Sequence, residues 1–297
     1  MSIIGIDGKV VASATASTPP TPSCGGVAAA LVSPPVSTSD HRLYYMDASG
    51  AVRTVAPDGT QSGSPVIVLP APTGSRRSMF AVSPDDALMA VVVDDFTQNG
   101  ATTNLYLDQL QLGGTQKVIY SESGPSTLWP IGWHGNNNLI VGKITSCTQG
   151  GGPFAGTPSE LHVVDPATAT RRFTIGSVSC PPVNRPSPAG VVCENPPTAT
   201  VLNWTAGTVR TYTIQGPVGA YLSPSGANVA FVDNTGTTFT NGGSAMAGLF
   251  TCTWIDDTHV LAGGDAQQQA RVANVGSGQV SPVAAQGDCA GRIPGGL

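Results

Sequence analysis

A short unit recurs along most of this chain: an apolar strand runs into a tight turn, often Ser-Pro, and a second apolar run begins after a fixed gap. Its two clearest copies align without a gap, Phe80-Ala81-Val82-Ser83-Pro84-Asp85-Asp86-Ala87-Leu88-Met89-Ala90-Val91 and Ala220-Tyr221-Leu222-Ser223-Pro224-Ser225-Gly226-Ala227-Asn228-Val229-Ala230-Phe231. One such unit cannot bury its apolar face alone, so copies must stack on each other. With the turn as marker, six copies emerge: Ser33-Pro34, Ser83-Pro84, His134-Gly135, Ser187-Pro188, Ser223-Pro224 and Ile255-Asp256. They are separated by 50, 51, 53, 36 and 32 residues. The two copies without Ser-Pro keep the register: Trp133 precedes Leu139, and Trp254 precedes Val260, by the same interval as Val82 precedes Leu88. Pro presets φ for a reversal and Gly or Asn tolerates positive φ, so the turn chemistry fits.

Each marker leads into a β-branched or aromatic run, a polar turn and further strands. Leu88–Val93 passes through an Asp/Asn/Thr loop to Leu105–Leu110 and then Lys117–Tyr120; Leu139–Val141 leads to Leu161–Pro166 and Arg172–Ile175. That is about four strands per unit with almost no 3.6-residue period. Units of ~40 to 45 residues with four strands are propeller blades. Composition agrees: 37 Gly and 25 Pro punctuate 297 residues of which 10% are charged and 40% hydrophobic. Such a chain has many turns and enough apolar surface for a core.

The ends bear on blade number. Ile3–Ala12 reads as a hairpin around Asp7-Gly8 with no marker strand before it, and the tail around Asp288–Ile293 is placed to supply the missing inner strand. Closing the ring by sharing a blade between the termini removes an exposed sheet edge. The sequence therefore favours an all-β propeller of seven blades over six, as a single domain spanning 1–297, with any signal or anchor segment lying upstream of Met1.

The pattern resembles the TolB-like β-propeller repeat, in which an aromatic residue precedes Ser-Pro-Asp-Gly, an apolar run follows, and a later strand ends in Asp. The match is good at Phe80–Val91 and fair at Ala220–Phe231; Leu161-His162-Val163-Val164-Asp165-Pro166 echoes it. Asp86 stands where that repeat has Gly, and no Trp-Asp dipeptide of the WD-repeat kind occurs. The resemblance implies a bacterial, extracytoplasmic interaction platform.

Chemistry-bearing motifs are absent: no Gly-x-Ser-x-Gly, no His-Glu-x-x-His, no phosphate-binding or dinucleotide-binding glycine loop. The 13 Lys and Arg are scattered and the net charge is −5, which excludes a basic nucleic-acid stripe. No apolar run reaches the ~20 residues of a spanning helix. Six dispersed cysteines, at 24, 147, 180, 193, 252 and 289, fit disulfides of an oxidising compartment. Cys147 pairs with Cys180 or Cys180 with Cys193, and Cys24 with Cys289 would staple the ring. Asn203-Trp204-Thr205 matches a glycosylation acceptor. Trp133 and Trp254, at matching repeat positions, read as core.

Two loops stand out for binding. Asp94-Asp95-Phe96-Thr97-Gln98-Asn99-Gly100, followed by Asn104, gathers oxygen ligands that offer a weak Ca²⁺ site at Asp94 and Asp95, although its spacing matches no calcium loop. The run from Thr145 to Pro158, which includes Phe154, is longer than most connections and should project on the same face. The leading expectation is a cofactor-free, non-enzymatic extracytoplasmic propeller that binds a protein or cell-surface component through Asp94, Asp95, Phe96, Asn99, Asn104 and Phe154. A propeller hydrolase of lactonase or glycosidase type, with a metal or carboxylate site at the channel, is the alternative; a structural subunit of a surface assembly is a third.

Overall fold

A computed structural model describes residues 1–24, 27–28, 35–110, 117–146, 160–216, 218–243 and 245–297. The marker Ser33-Pro34, Cys147 and Phe154 lie outside them. Two hairpins come first, β1 (Ser2–Ile4) with β2 (Val10–Ser13) and β3 (Ser23–Cys24) with β4 (Val27–Ala28). Six four-stranded antiparallel sheets follow. Blade one is β5 (Val36–Thr38), β6 (Leu43–Met46), β7 (Ala51–Val55) and β8 (Ile67–Val68); blade two is β9 (Arg76–Val82), β10 (Leu88–Thr97), β11 (Gly100–Gln109) and β12 (Lys117–Gly124). Blade three is β13 (Ser126–His134), β14 (Asn138–Thr145), β15 (Glu160–Val164) and β16 (Arg171–Ile175); blade four is β17 (Pro182–Ser187), β18 (Gly190–Asn195), β19 (Thr198–Leu202) and β20 (Thr208–Thr213). Blade five is β21 (Gly219–Leu222), β22 (Val229–Asp233), β23 (Gly236–Phe239) and β24 (Met246–Ala247), and blade six is β25 (Thr251–Trp254), β26 (His259–Ala262), β27 (Arg271–Asn274) and β28 (Val280–Pro282). The fold is a β-propeller with six blades.

Five of the six markers are the turns between the first and second strands of blades two to six. In blade one that turn is Ser39-Asp40-His41-Arg42, without proline: the Ser39 hydroxyl accepts from the Arg42 amide at 3.1 Å. The same device recurs. Ser83 Oγ accepts from Leu88 N at 2.9 Å and Ser223 Oγ from Asn228 N at 3.0 Å, at equivalent positions of the two best repeats. Both serines are fully buried. Asp86 (φ 59°) and Gly226 (φ 77°) occupy the left-handed position that this turn requires.

Blades pack face to face, so middle strands are covered on both sides and read as continuous apolar runs rather than alternating ones. β10 is buried from Met89 to Asp94, whereas the outermost β20 of blade four is almost wholly exposed. Separate apolar cores join neighbouring blades one to two, two to three, three to four, four to five and five to six. Trp133 donates its indole N–H to the Ala81 carbonyl of the preceding blade at 3.0 Å, and Trp254 does the same to Tyr221 at 2.8 Å. Ala81 and Tyr221 are equivalent residues of the repeat, so the shared register of the two tryptophans reflects one conserved packing device within this chain.

The junction of blades six and one is built differently. The β1–β2 hairpin is wedged there: Ala12 and Ala14 pack on Leu43, Tyr45 and Val55 of blade one, while Ile4 packs against the Ala270, Val272 and Val283 core of blade six. The expected hairpin is thus present. The expected seventh blade is not, because β1 pairs with β2 alone and the tail adds no strand to it.

Candidate functional site

The residues after blade six thread the central channel from the end that carries the inter-blade connections, where Gly287 bonds Gly264, to the end that carries the marker turns, where Gly296 passes Pro84. Cys289 is bonded to Cys252 on β25, which fixes where the tail starts. The Ala290 carbonyl then accepts from Arg185 Nη1 on β17 of blade four. Gly291, Gly295 and Gly296 pass where there is little or no room for a side chain: a Cβ on Gly291 would sit a tight 3.0 Å from Thr38 Oγ1, and one on Gly295 would collide with the backbone of Thr38 and Ser39. Finally the Leu297 amide donates to the Trp133 carbonyl at 2.7 Å and its side chain enters the core between blades three and four, beside Ile140 and Trp204. The sequence Gly-Arg-Ile-Pro-Gly-Gly-Leu is therefore shaped for threading. Voids of about 60 and 20 Å³ remain beside it.

Two arginines face this channel. Burial pulls the pKa of Arg185 down, and the Tyr221 hydroxyl on the neighbouring inner strand opposes the shift. Burial likewise lowers Arg292, which Asp40 and Asp257 hold up through space. Among the described residues neither is in an ion pair.

A larger cavity, of about 440 Å³, lies on the axial side of β1. Ile3 and Ile4 of the hairpin, Val36 and Leu43 of blade one, Ile255 and Leu261 of blade six and the tail from Gln286 to Ile293 line it. Thr38, Thr253 and Arg292 bring polar groups to the same space. Its size is that of a ligand pocket, roughly 300–1,000 Å³.

The residues expected to bind lie elsewhere. β10 and β11 run on to Thr97 and from Gly100, so Asp94, Asp95, Phe96 and Asn104 are strand residues and only Asn99 occupies the exposed turn. Asp94 is fully buried: Arg77 Nη2 donates to it at 2.8 Å and Thr103 Oγ1 at 2.7 Å. Arg77 is held between Trp129, 4.2 Å from its ring centre, and Phe96, 5.1 Å away. Asp94 and Phe96 therefore belong to the interior of blade two and not to an exposed loop. Asp95 is partly exposed and accepts from Arg76 Nε at 2.7 Å. With both oxygens of Asp94 taken by Arg77 and Thr103, the pair does not form an open Ca²⁺ site. Among the described residues no three His, Cys, Asp or Glu side chains gather as a metal would require. His134 lies against Trp204 (ring centroids 5.7 Å apart), His162 bonds Glu160 at 2.6 Å, and His259 bonds Asp256 at 3.0 Å.

The disulfides are Cys180–Cys193 and Cys252–Cys289, and Cys24 is also disulfide-bonded. This corrects the pairings of Cys147 with Cys180 and of Cys24 with Cys289. Staples hold the tail and the entry to blade four. Among the described residues no helix is long and apolar enough to cross a membrane. Sequence reading missed the tail's course and the seam cavity; the one available signal was the glycine spacing from 291 to 296.

No family model and no curated protein matches this sequence. Among solved structures the chain is similar to Saccharomyces cerevisiae Sqt1, at 11% identity and TM-score 0.46, over 88% of this chain and 74% of that one. A chain of the mitotic checkpoint complex matches at 11% identity and TM-score 0.38, over 85% of this chain and 89% of that one. Kluyveromyces lactis Hsv2 matches at 9% and 0.38, over 68% and 60%. What the geometry itself defines is a six-bladed propeller whose channel is threaded by its own chain.

Proposed function

We propose that this is a non-enzymatic propeller of TolB-like type, acting in an oxidising, extracytoplasmic compartment, that holds a protein or cell-surface partner on the face bearing the inter-blade connections. Residues 1–297 form one propeller domain in this reading. The observation that carries it is the exposure of Val178 on that face. That face offers a rigid apolar tip. Val178 is 89% exposed in a reversal closed by two backbone bonds of 3.1 Å between Ser177 and Cys180, and Cys180 is cross-linked to Cys193. Asn99, in the exposed turn between β10 and β11, and Phe250, 37% exposed ahead of β25, share the face. Rigid apolar contacts of this kind anchor protein interfaces, because little side-chain entropy is lost on docking. The two disulfides support the oxidising setting.

The test is site-specific photo-cross-linking in cells that produce the protein. Probes at Val178 and Asn99 should capture a discrete partner, and a probe at Asp85 on the marker-turn face should not. Capture confined to Asp85, or turnover of lactone or glycoside substrates by the purified chain, would overturn the reading.

A further inference from the structure

We propose that the seam between blades six and one is an acceptor for an extended peptide segment of a partner protein, which adds to the open edge of β1 and extends the unfinished hairpin sheet. The seam is built from other blades than those that carry Val178 and Asn99. Six of the sheets have four strands; the hairpins β1–β2 and β3–β4 have two each. Met1 and Ala14 exchange both backbone bonds, at 2.7 and 3.0 Å, across the hairpin. In an antiparallel pair the next residue turns its groups to the other side, so the Ser2 N–H and C=O point away from β2. Among the described residues no backbone bond reaches them. The 440 Å³ cavity is lined by β1 and not by β2, which places it on that unpaired side.

The chemistry of the site selects its occupant. A small apolar ligand would fill the space beside Ile3, Leu43, Ile255 and Leu261 and leave the Ser2 backbone groups unpaired. An extended backbone satisfies both while its alternate side chains enter the cavity, which is the logic of strand addition. Thr38 and Thr253 on the flanking inner strands offer hydroxyls to the segment's second edge.

The experiment uses the full chain and a pool of N-acetylated, C-amidated hexapeptides that alternate Val, Ile, Leu or Phe with Ser or Thr. Affinity selection should enrich peptides with apolar residues at alternate positions. N-methylating every second backbone nitrogen of an enriched peptide should weaken binding at least tenfold, as should Ala285→Trp, which fills the cavity. Ala285→Phe and the N-methylated peptide keep the test decisive if the tryptophan variant misfolds. Bound peptide should also slow exchange of the Ser2 amide in NMR. Retention of no peptide from the pool, or binding unchanged by N-methylation, would overturn the proposal; so would a cavity that takes up an apolar dye and excludes every peptide. Cross-linking from Val178 reads the loop face independently, so each failure is attributable to its own site.

Discussion

Blade two and the seam solve the same problem, covering an apolar sheet, in opposite ways. In blade two the strands are long, β10 is buried on both faces, and a charged pair at its end is enclosed by Thr103, Trp129 and Phe96. Arg77 Nε and Nη2 and both Asp94 oxygens have partners inside the blade or its neighbour. At the seam a short hairpin is inserted as a wedge, a cavity remains behind it, and a disulfide-anchored tail lies alongside. The first region is held by its own sheet and the second by attachments. A closed ring needs only one junction of the second kind, and among the described residues it leaves the Ser2 backbone groups unpaired.

The largest expected effect lies in blade two. Asp94→Ala leaves the Arg77 guanidinium buried without its carboxylate and should cost about 3–5 kcal/mol. Urea unfolding would read it, and a change near zero would show that the pair is not enclosed as described. At the seam, replacing Cys252 and Cys289 by serine should lower stability by roughly 2–4 kcal/mol. The same variant should speed exchange of the Leu297 amide, because the tail loses its anchor; unchanged exchange would mean that the tail is held by packing alone.

The third prediction concerns the blade-to-blade device that the seam lacks. Trp254→Phe removes the bond to the partly buried Tyr221 carbonyl and should cost about 1–3 kcal/mol. Trp133→Phe should cost a similar amount, and a large disparity would break the equivalence of the two repeats. The smallest effect is one of pH. Burial pushes Glu194 up, against the Val218 amide that stabilises its charged form, and burial pushes Asp108 up as well. A raised pKa means that the folded chain keeps the proton after the unfolded chain has released it. Stability therefore falls as pH rises through that interval, from the ordinary carboxylate range up to the folded values. Thermal melts from pH 4 to 8 should show this fall, and Glu194→Gln should flatten it; an unaltered slope would show that Glu194 is not the source.

Much of the ring was legible because its signal is local. Ser83 and Ser223 announce a turn whose hydroxyl caps the next strand, and Trp133 and Trp254 betray the register where proline is missing. Blade one escaped that reading because its turn, Ser39 to Arg42, uses serine without proline. Six rather than seven blades could not be read from Ile3–Ala12, since a hairpin has the same sequence pattern whether or not an inner strand joins it. Asp94 was misplaced in a loop for a different reason. Its partner Arg77 lies directly across the β9–β10 hairpin, and extending the register from the Ser83-Pro84 turn pairs Arg77 with Asp94 and Arg76 with Asp95. The tail carried no strand signal, because glycines that thread a crowded channel look like glycines of any loop.

Amide exchange measured by NMR on the intact chain tests the contrast most directly. The Leu297 amide, bonded to Trp133, should exchange as slowly as Val91 and Val141 in the blade interiors, and the Ser2 amide should exchange near the rate of an unpaired backbone. A rapidly exchanging Leu297 together with a protected Ser2 would contradict the account, because the tail would then leave the channel open and the ring would be completed at β1.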